Sequence, residues 1–257
     1  MEHSYLDEYS HISSFIHNLE PRVKILAFFT IILFTAFVYG NNFIALAMVG
    51  LLVLVLITLS KIPLVFFFKK TVSLLPFILM VALSLPFIKP YSPGTAKLSL
   101  GLIKLPIAYN NIMLFFYITA KACLSIMTMT LLMESMDFSK LLKALEKLKA
   151  PLVFIMIISF MYRYIFVLED ELMKMRLAKD SRTIGGSKWF HIRAQANMLG
   201  VLFIRAYERA EKVYLAMCSR GFDGRIRTVY DFKLRPKDIL FFIAIIGILL
   251  ALKILLR

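Results

Sequence analysis

The sequence contains the same short motif twice, in polar segments of a chain that is otherwise mostly apolar. Residues 177–186 read LAKDSRTIGG and residues 215–224 read LAMCSRGFDG, so Leu, Ala, Ser, Arg and a later Gly recur at identical offsets. The side chain with binding chemistry in each copy is the arginine, Arg182 or Arg220. Its planar guanidinium can hold a carboxylate through two hydrogen bonds and still stack on a flat group. A duplicated feature on one chain is what contact with a symmetric pair of partners requires.

A purely structural interpretation of each copy stays open. An arginine in the last turn of a helix faces the negative end of the helix dipole, and a glycine after it takes the left-handed conformation that ends the helix. Gly185 and Gly186 follow the first arginine, and Gly221 follows the second. One copy alone is typical of such a helix end, whereas two copies favour a role in binding.

Each copy ends a segment that is predicted to be a long helix. The first segment, from about 152 to 182, contains no Gly or Pro and would be about 46 Å long as one helix. The second runs from about 188 to 220, and we expect the two helices to lie against each other with the arginines near one another at their tips. A short amphipathic helix precedes them in MDFSKLLKALEKLKAP, where Asp137 caps the start and Pro151 ends it.

The composition is that of a membrane protein. The chain has 257 residues, of which 60% are hydrophobic, and its mean hydropathy is +0.78. A membrane span needs roughly 20 mostly apolar residues. The apolar run at 150–168 contains Arg163 and is predicted to lie at the membrane interface, with a span as the open alternative. Five other segments are predicted to span the bilayer: about 25–40, 43–60, 66–88, 111–133 and 238–255.

The charged residues divide the chain into regions. No Asp or Glu occurs between Pro21 and Met133, whereas residues 135–238 hold 20 of the 31 Lys and Arg and 11 of the 16 acids. This predicts an N-terminal tail with four membrane helices at 1–134, a charged helical domain at 135–237 and a last membrane helix at 238–257. The fold class is therefore an all-α membrane protein with about five transmembrane helices and a cytoplasmic or interfacial domain of three helices, two of them long. The positive-inside rule predicts a cytoplasmic N-terminus and a cytoplasmic charged domain.

Several functional classes find no support in the sequence. Neither the phosphate-binding pattern GxxxxGK[ST] nor the zinc pattern HExxH is present, and we predict no catalytic residue, no metal site and no cofactor. An ion-coupled transporter needs ionisable or coordinating groups at membrane depth. Residues 21–133 contain no carboxylate or imidazole, and Lys121 there would repel a cation. We therefore expect a non-catalytic subunit that does not bind the transported cargo by itself.

The chain resembles the transmembrane T component of energy-coupling factor transporters, in particular the CbiQ family of the cobalt type. Three features carry the resemblance: LDEYSHISSFIHNLEPRVKI at 6–25, the MDFSKLLKALEKLKAP segment and the two Ser-Arg motifs, of which SRGF at 219–222 is the closest match. The resemblance covers essentially the whole chain. Thr183 departs from the family pattern, which often has a small residue there.

The resemblance implies a link between two ATP-binding-cassette ATPase subunits and a substrate-capturing membrane subunit, the S component. The three helices of the charged domain would be coupling helices. Six residues would dock into the two ATPases, namely Ser181, Arg182, Thr183, Ser219, Arg220 and Gly221. Five residues would form the coupling-helix surface that passes movement to the capturing subunit, namely Met156, Phe160, Met161, Met198 and Phe203.

The resemblance further implies a multi-pass protein of a prokaryotic cell membrane, in contact with the lipid bilayer and not with nucleic acid. Cobalt uptake is the expected function. Nickel or a vitamin as the cargo stays open, and so does a membrane scaffold that takes no part in transport. Co-purification of an ATPase dimer would distinguish a coupling subunit from a scaffold.

Overall fold

The structure is a computed structural model, and it describes residues 14–37, 43–88, 109–182, 185, 187–224 and 234–255. The regular structure of these residues consists of α-helices, with no strand among them. This confirms the predicted all-α membrane class. The eight helices are α1 (Pro21–Phe37), α2 (Phe43–Ser60), α3 (Leu64–Ile88), α4 (Tyr109–Glu134), α5 (Phe138–Lys147), α6 (Leu152–Arg182), α7 (Lys188–Ser219) and α8 (Pro236–Leu255).

The chain divides into two compact units. One unit comes from the Leu145–Tyr230 segment, and the other comes from Ser4–Ala144 together with Asp231–Arg257. The second unit is a helix bundle in which α4 packs against α1, α2 and α3, while α1 also packs against α8. The finer boundaries proposed from the charge pattern, at 134/135 and 237/238, stay a prediction.

The core of the bundle lies where these helices meet. Phe28 and Ile31 of α1 are fully buried, as are Val53 of α2 and Leu131 of α4. Many other apolar side chains of the same helices are exposed, because a helix that faces lipid has no need to bury its outer surface in protein. The buried face is therefore set by helix packing, and the exposed apolar face matches a bilayer.

Four helices among the described residues are long and apolar enough to cross a membrane. They include three of the five predicted spans, in α2, α3 and α4. α1 has 17 described residues, at the short end of the length that spans a bilayer. α8 has 20 residues with Asp238 and Lys253 near its ends. The fourth helix is α6, whose N-terminal half is the run at 150–168, so its composition also permits the alternative of a membrane span.

The first unit is dominated by two long helices, which confirms the predicted pair of helices. α6 has 31 residues and α7 has 32, and each would be roughly 47 Å long. Ile155 is buried in α6, and no residue is buried in α7. An ion pair between Glu171 of α6 and Arg205 of α7 joins the two helices. Because so little of the surface is buried, this unit offers most of its side chains to other molecules.

Candidate docking site

The C-terminal end of α7 is a glycine-terminated helix cap. Gly221 has a φ of 75°. Its backbone N–H donates to the Cys218 carbonyl at 3.0 Å, and the N–H of Phe222 donates to the Met217 carbonyl at 3.1 Å. These two hydrogen bonds define the Schellman motif, in which a left-handed residue ends the helix. Arg220 lies directly before the glycine, so a fixed backbone turn carries its side chain.

The end of α6 has a different geometry. The helix ends at Arg182, whereas Thr183, Ile184 and Gly186 lie outside the described residues. The left-handed glycine here is Gly185, with a φ of 77°, and it comes three residues after the arginine instead of one. The structural interpretation as a helix cap therefore accounts for Gly221 next to Arg220, but it does not apply to Arg182 in the same form.

The two serines of the repeat have the same geometry. The Ser181 hydroxyl donates to the Leu177 carbonyl at 2.8 Å, and the Ser219 hydroxyl donates to the Leu215 carbonyl at 2.9 Å. Each bond returns to the carbonyl four residues earlier, which fixes the hydroxyl against its own helix. The part of the motif that can reach outward is therefore the arginine in both copies.

Both arginines are exposed. In the part of the chain that the structure describes, neither guanidinium forms an ion pair. Asp180, the acid nearest to Arg182 in sequence, pairs instead with Lys179 at 3.1 Å and with Arg176 at 3.9 Å. Each arginine thus presents its positive charge to the surroundings of this unit.

The two arginines lie at opposite ends of the helix pair. Met156 of α6 and Met217 of α7 line the same groove, so the C-terminal end of α7 lies beside the N-terminal half of α6. Arg220 follows Met217 by three residues, whereas Arg182 follows Met156 by 26 residues. At the rise of an α-helix this separates the arginines by roughly 40 Å. The expectation that they lie near one another is wrong, because α6 and α7 run antiparallel and each arginine ends its own helix.

An apolar groove of about 480 Å³ runs between α6 and α7. Three of the five residues predicted for the coupling-helix surface line it: Met156, Phe160 and Met161. Met198 and Phe203 do not belong to its lining. The other lining residues are Ile157, Tyr164, Leu168, Ala206, Arg209, Ala210, Val213, Tyr214, Met217 and Phe222.

The wall that α7 contributes to this groove was missed by sequence reasoning. Ala206, Ala210, Val213 and Met217 recur at the spacing of one helix face, so the periodicity of α7 contained the signal. Met198 is half-buried and the Phe203 side chain is 74% exposed, which places both on other parts of the α7 surface. Of the five residues predicted for the coupling-helix surface, three thus line one groove and two are separate apolar positions on α7.

Metal-ligating residues are not grouped in the structure. Among the described residues, no three His, Cys, Asp or Glu side chains are arranged to hold a metal ion. Cys123 and Cys218 are free thiols. The ring of His17 hydrogen-bonds to the Ser14 hydroxyl and to the Glu134 carbonyl.

Comparison with known proteins identifies the family. The family model CbiQ, described as cobalt transport protein, matches residues 12–230. Two relatives are named energy-coupling factor transporter transmembrane protein EcfT. The protein of Listeria innocua is 32% identical over 87% of this chain and 86% of its own length. The protein of Staphylococcus aureus is 30% identical over 97% of this chain and 96% of its own length. An uncharacterized protein of Methanocaldococcus jannaschii is 28% identical over 93% of this chain and 82% of its own. The chain therefore belongs to the CbiQ family and is a transmembrane component of an energy-coupling factor transporter.

Proposed function

We propose that this chain transmits movement from two ATP-binding-cassette ATPase subunits to a substrate-capturing membrane subunit of an importer. The observation that carries the proposal is the pair of exposed arginines at the ends of two long helices joined in one unit. ATP hydrolysis belongs to the partner subunits, and this chain is the non-catalytic link. Its place is the cell membrane of a prokaryote, with the N-terminus and the 135–237 region in the cytoplasm.

The docking residues are Ser181, Arg182, Thr183, Ser219, Arg220 and Gly221. Each Ser-Arg pair occupies a groove on one of the two ATPase subunits, and the guanidinium binds a carboxylate there. A separation of roughly 40 Å suits this arrangement because a small domain is about 30 Å across, so two equivalent grooves on neighbouring subunits are far apart.

Closure of the ATPase pair changes the distance between its two docking grooves. Because α6 and α7 join near the ion pair of Glu171 and Arg205, a change at the two ends turns the helices about that region. The helices are stiff rods without an internal proline, so displacement at an arginine is passed along the helix. In this mechanism α6 and α7 act as levers that turn about the ion pair. It replaces the expectation from the sequence that two adjacent helix tips move together and apart.

The groove between α6 and α7 is the surface that we assign to the capturing subunit. Met156, Phe160 and Met161 provide an apolar, adaptable lining, and methionine fits partners that move or dissociate because its side chain is flexible. Met198 and Phe203 are two further apolar positions on α7 that we also assign to contact with the capturing subunit, although they lie outside the groove. Cobalt is the proposed cargo, on the basis of the CbiQ match, and its choice lies in the capturing subunit. Uptake of radiolabelled cobalt, compared with nickel and with vitamins, tests that assignment.

Co-purification tests the docking role. We expect Arg182→Ala and Arg220→Ala each to weaken ATPase binding and the double variant to abolish uptake. If the contact excludes water, loss of one partner of a buried ion pair costs about 3–5 kcal/mol, or more than a hundredfold in affinity. Arg193→Ala is the matched control, because Arg193 is also an exposed arginine of α7 but lies outside the motif.

The outcomes separate the two classes of function. A coupling subunit brings down an ATPase pair, and it loses that pair in the double variant but not in Arg193→Ala. Normal assembly of the double variant would contradict the docking role. A chain that accumulates in the membrane but never brings down an ATPase would support the scaffold alternative.

A further inference from the structure

The bundle unit is connected to the 145–230 segment at two points. The chain leaves the bundle unit after Ala144, inside α5, and it returns at Asp231. Two connections inside the bundle unit adjoin these points: residues 135–137, between α4 and α5, and residues 234–238, at the start of α8. Both connections lie against one short segment of the same unit, residues 14–20, which we call the N-terminal turn. Three sets of hydrogen bonds join these parts of the chain.

Lys24 makes the first connection. Its side chain is 1% exposed, and its ammonium donates to the His17 carbonyl at 3.0 Å and to the Ser135 carbonyl at 2.9 Å. The charged groups around it are Lys140, which opposes the ammonium, and Asp137 and Asp238, which favour it. A buried ammonium is costly unless its hydrogen bonds are made, so both carbonyls must stay in place.

The end of α4 is held by two further contacts. The Nε2 of His17 lies 3.3 Å from the Glu134 carbonyl, and its Nδ1 lies 2.6 Å from the Ser14 hydroxyl. Because a carbonyl only accepts, Nε2 carries the proton and the hydroxyl donates to Nδ1. Lys70 of α3 donates to the Glu134 carboxylate at 2.7 Å. Glu134 is thus bound through its backbone and through its side chain.

Asp238 makes the connection on the return side. Its Oδ2 accepts from the backbone N–H of Arg235 at 2.9 Å, which caps α8. Its Oδ1 accepts from the backbone N–H of Glu20 at 3.1 Å, and the side chain is buried. The ring of Phe15 lies edge-on to Phe241 of α8 at a centroid distance of 6.3 Å. The start of α8 is therefore fixed to the same N-terminal turn.

We propose that Lys24 and Asp238 are positioning residues that clamp both connections, residues 135–137 and 234–238 of the bundle unit, to the N-terminal turn, so that the two connections keep a fixed spacing while α6 and α7 move. The movement in this inference rests on the proposed function, whereas the clamp itself rests on the hydrogen bonds described above. A lever needs a fixed attachment, and the clamp supplies it within the bundle unit. Without it, movement of the coupling helices would be lost as local rearrangement of residues 135–137 and 234–238.

Hydrogen–deuterium exchange on the purified chain tests the clamp without any partner. We expect Lys24→Met to speed exchange of residues 135–140 by about tenfold or more, because it removes two hydrogen bonds from a charged donor, and to leave α6 and α7 unchanged. Lys121→Met is the matched control, since it also removes a lysine-to-carbonyl hydrogen bond, to Ala36 at 3.2 Å. Exchange of residues 135–140 at the native rate in Lys24→Met would overturn the proposal.

Asp238→Asn is the second variant, and it keeps one acceptor oxygen while it removes the other. We expect faster exchange at residues 234–240 and at the N-terminal turn. Lys24→Arg keeps the charge and donor groups and should restore much of the protection that Lys24→Met loses. A general loss of folding in Lys24→Met would speed exchange throughout the chain and not selectively at residues 135–140, so the distance measurement below, which keeps the native Lys24, decides that case.

Spin-label distances in the complex with its ATPases test the clamp with the native Lys24 in place. Cys123 and Cys218 are replaced by serine, and labels are placed at the exposed positions Asn18 and Ser139, across the clamp. A second pair at Leu177 and Leu215 reports on the coupling helices. We expect ATP to change the second distance and to leave the first one unchanged, whereas a joint change would overturn the clamp.

Transport measurements complete the test. Lys24→Met should assemble with the ATPases and hydrolyse ATP, but with about a tenfold lower ratio of uptake to hydrolysis, whereas Lys121→Met should keep the native ratio. A native ratio in Lys24→Met would contradict the positioning role. If no ATPase binds the native chain, the proposed function fails, and the exchange experiment still decides the clamp.

Discussion

Replacement of Gly221 with alanine separates the cap at the end of α7 from the arginine beside it. Gly221 has a φ of 75°, and an added Cβ would meet no atom within 4 Å. The cost therefore arises from the backbone alone, because an L-residue in the left-handed region is less stable by about 1–2 kcal/mol. The Schellman hydrogen bond from Phe222 to Met217 depends on that conformation.

The cap determines how Arg220 is presented to a partner. If the alanine variant loses the cap when free and must form it again on docking, the same 1–2 kcal/mol weakens ATPase binding by about five- to thirtyfold. The affinity is measured by titration of purified ATPase subunits into the chain in lipid nanodiscs. Hydrogen exchange at residues 217–222 reports on the cap in the same samples.

Gly200→Ala is the matched control. Gly200 lies inside α7, and an added Cβ there also meets no atom within 4 Å. The same substitution should therefore stabilise α7 by about 0.5–1 kcal/mol and leave ATPase binding unchanged. Native affinity in Gly221→Ala would refute the role of the cap. A loss of more than a hundredfold, as expected for Arg220→Ala, would show that the glycine itself contacts the partner.

Four further substitutions test the packing and electrostatics of the two units. Burial raises the pKa of Glu20, so its ionisation opposes folding; stability is highest below its ordinary pKa and falls as the pH rises through the raised value. The unfolding temperature of Glu20→Gln should therefore be higher than that of the native chain at neutral pH, and the difference should disappear in acid. Phe28→Ala, at a fully buried position, should cost about 3 kcal/mol in detergent, and Phe29→Ala, at a 56% exposed position, should change the unfolding temperature little; equal losses would contradict the assigned core. Glu171→Gln removes the exposed ion pair to Arg205 and should cost less than about 1 kcal/mol in the same assay, whereas a larger loss would mean that this pair stabilises the helix crossing.

The helices could be predicted because their signals are local. The stretch from 152 to 182 lacks Gly and Pro, and α6 has these bounds. Asp137 directly precedes α5, as expected of a helix cap. Gly221 ends α7 through hydrogen bonds within six residues of chain. Each of these features depends on neighbours within one or two turns, so the amino-acid order is enough to reveal it.

The environment of single charged residues could not be predicted in the same way. Lys24 directly precedes the membrane span predicted at about 25–40, and nothing in the sequence indicates that it is buried and bound to carbonyls 7 and 111 residues away. In the sequence, Asp238 is one of the 11 acids at 135–238. In the structure, it joins the start of α8 to the N-terminal turn. No periodicity in the sequence marks a contact between segments so far apart.

The sequence by itself determined the membrane class, the family, the two long helices and the repeated Ser-Arg ends. These follow from composition, from helical periodicity and from residues that act on their nearest neighbours. Only the tertiary structure decided that Arg182 and Arg220 lie at opposite ends of the helix pair and that the N-terminal turn contacts the segments that precede α5 and α8. Helix direction, packing and the burial of a charge depend on the sum of many weak contacts between distant segments, and that sum is fixed only when the whole chain has folded.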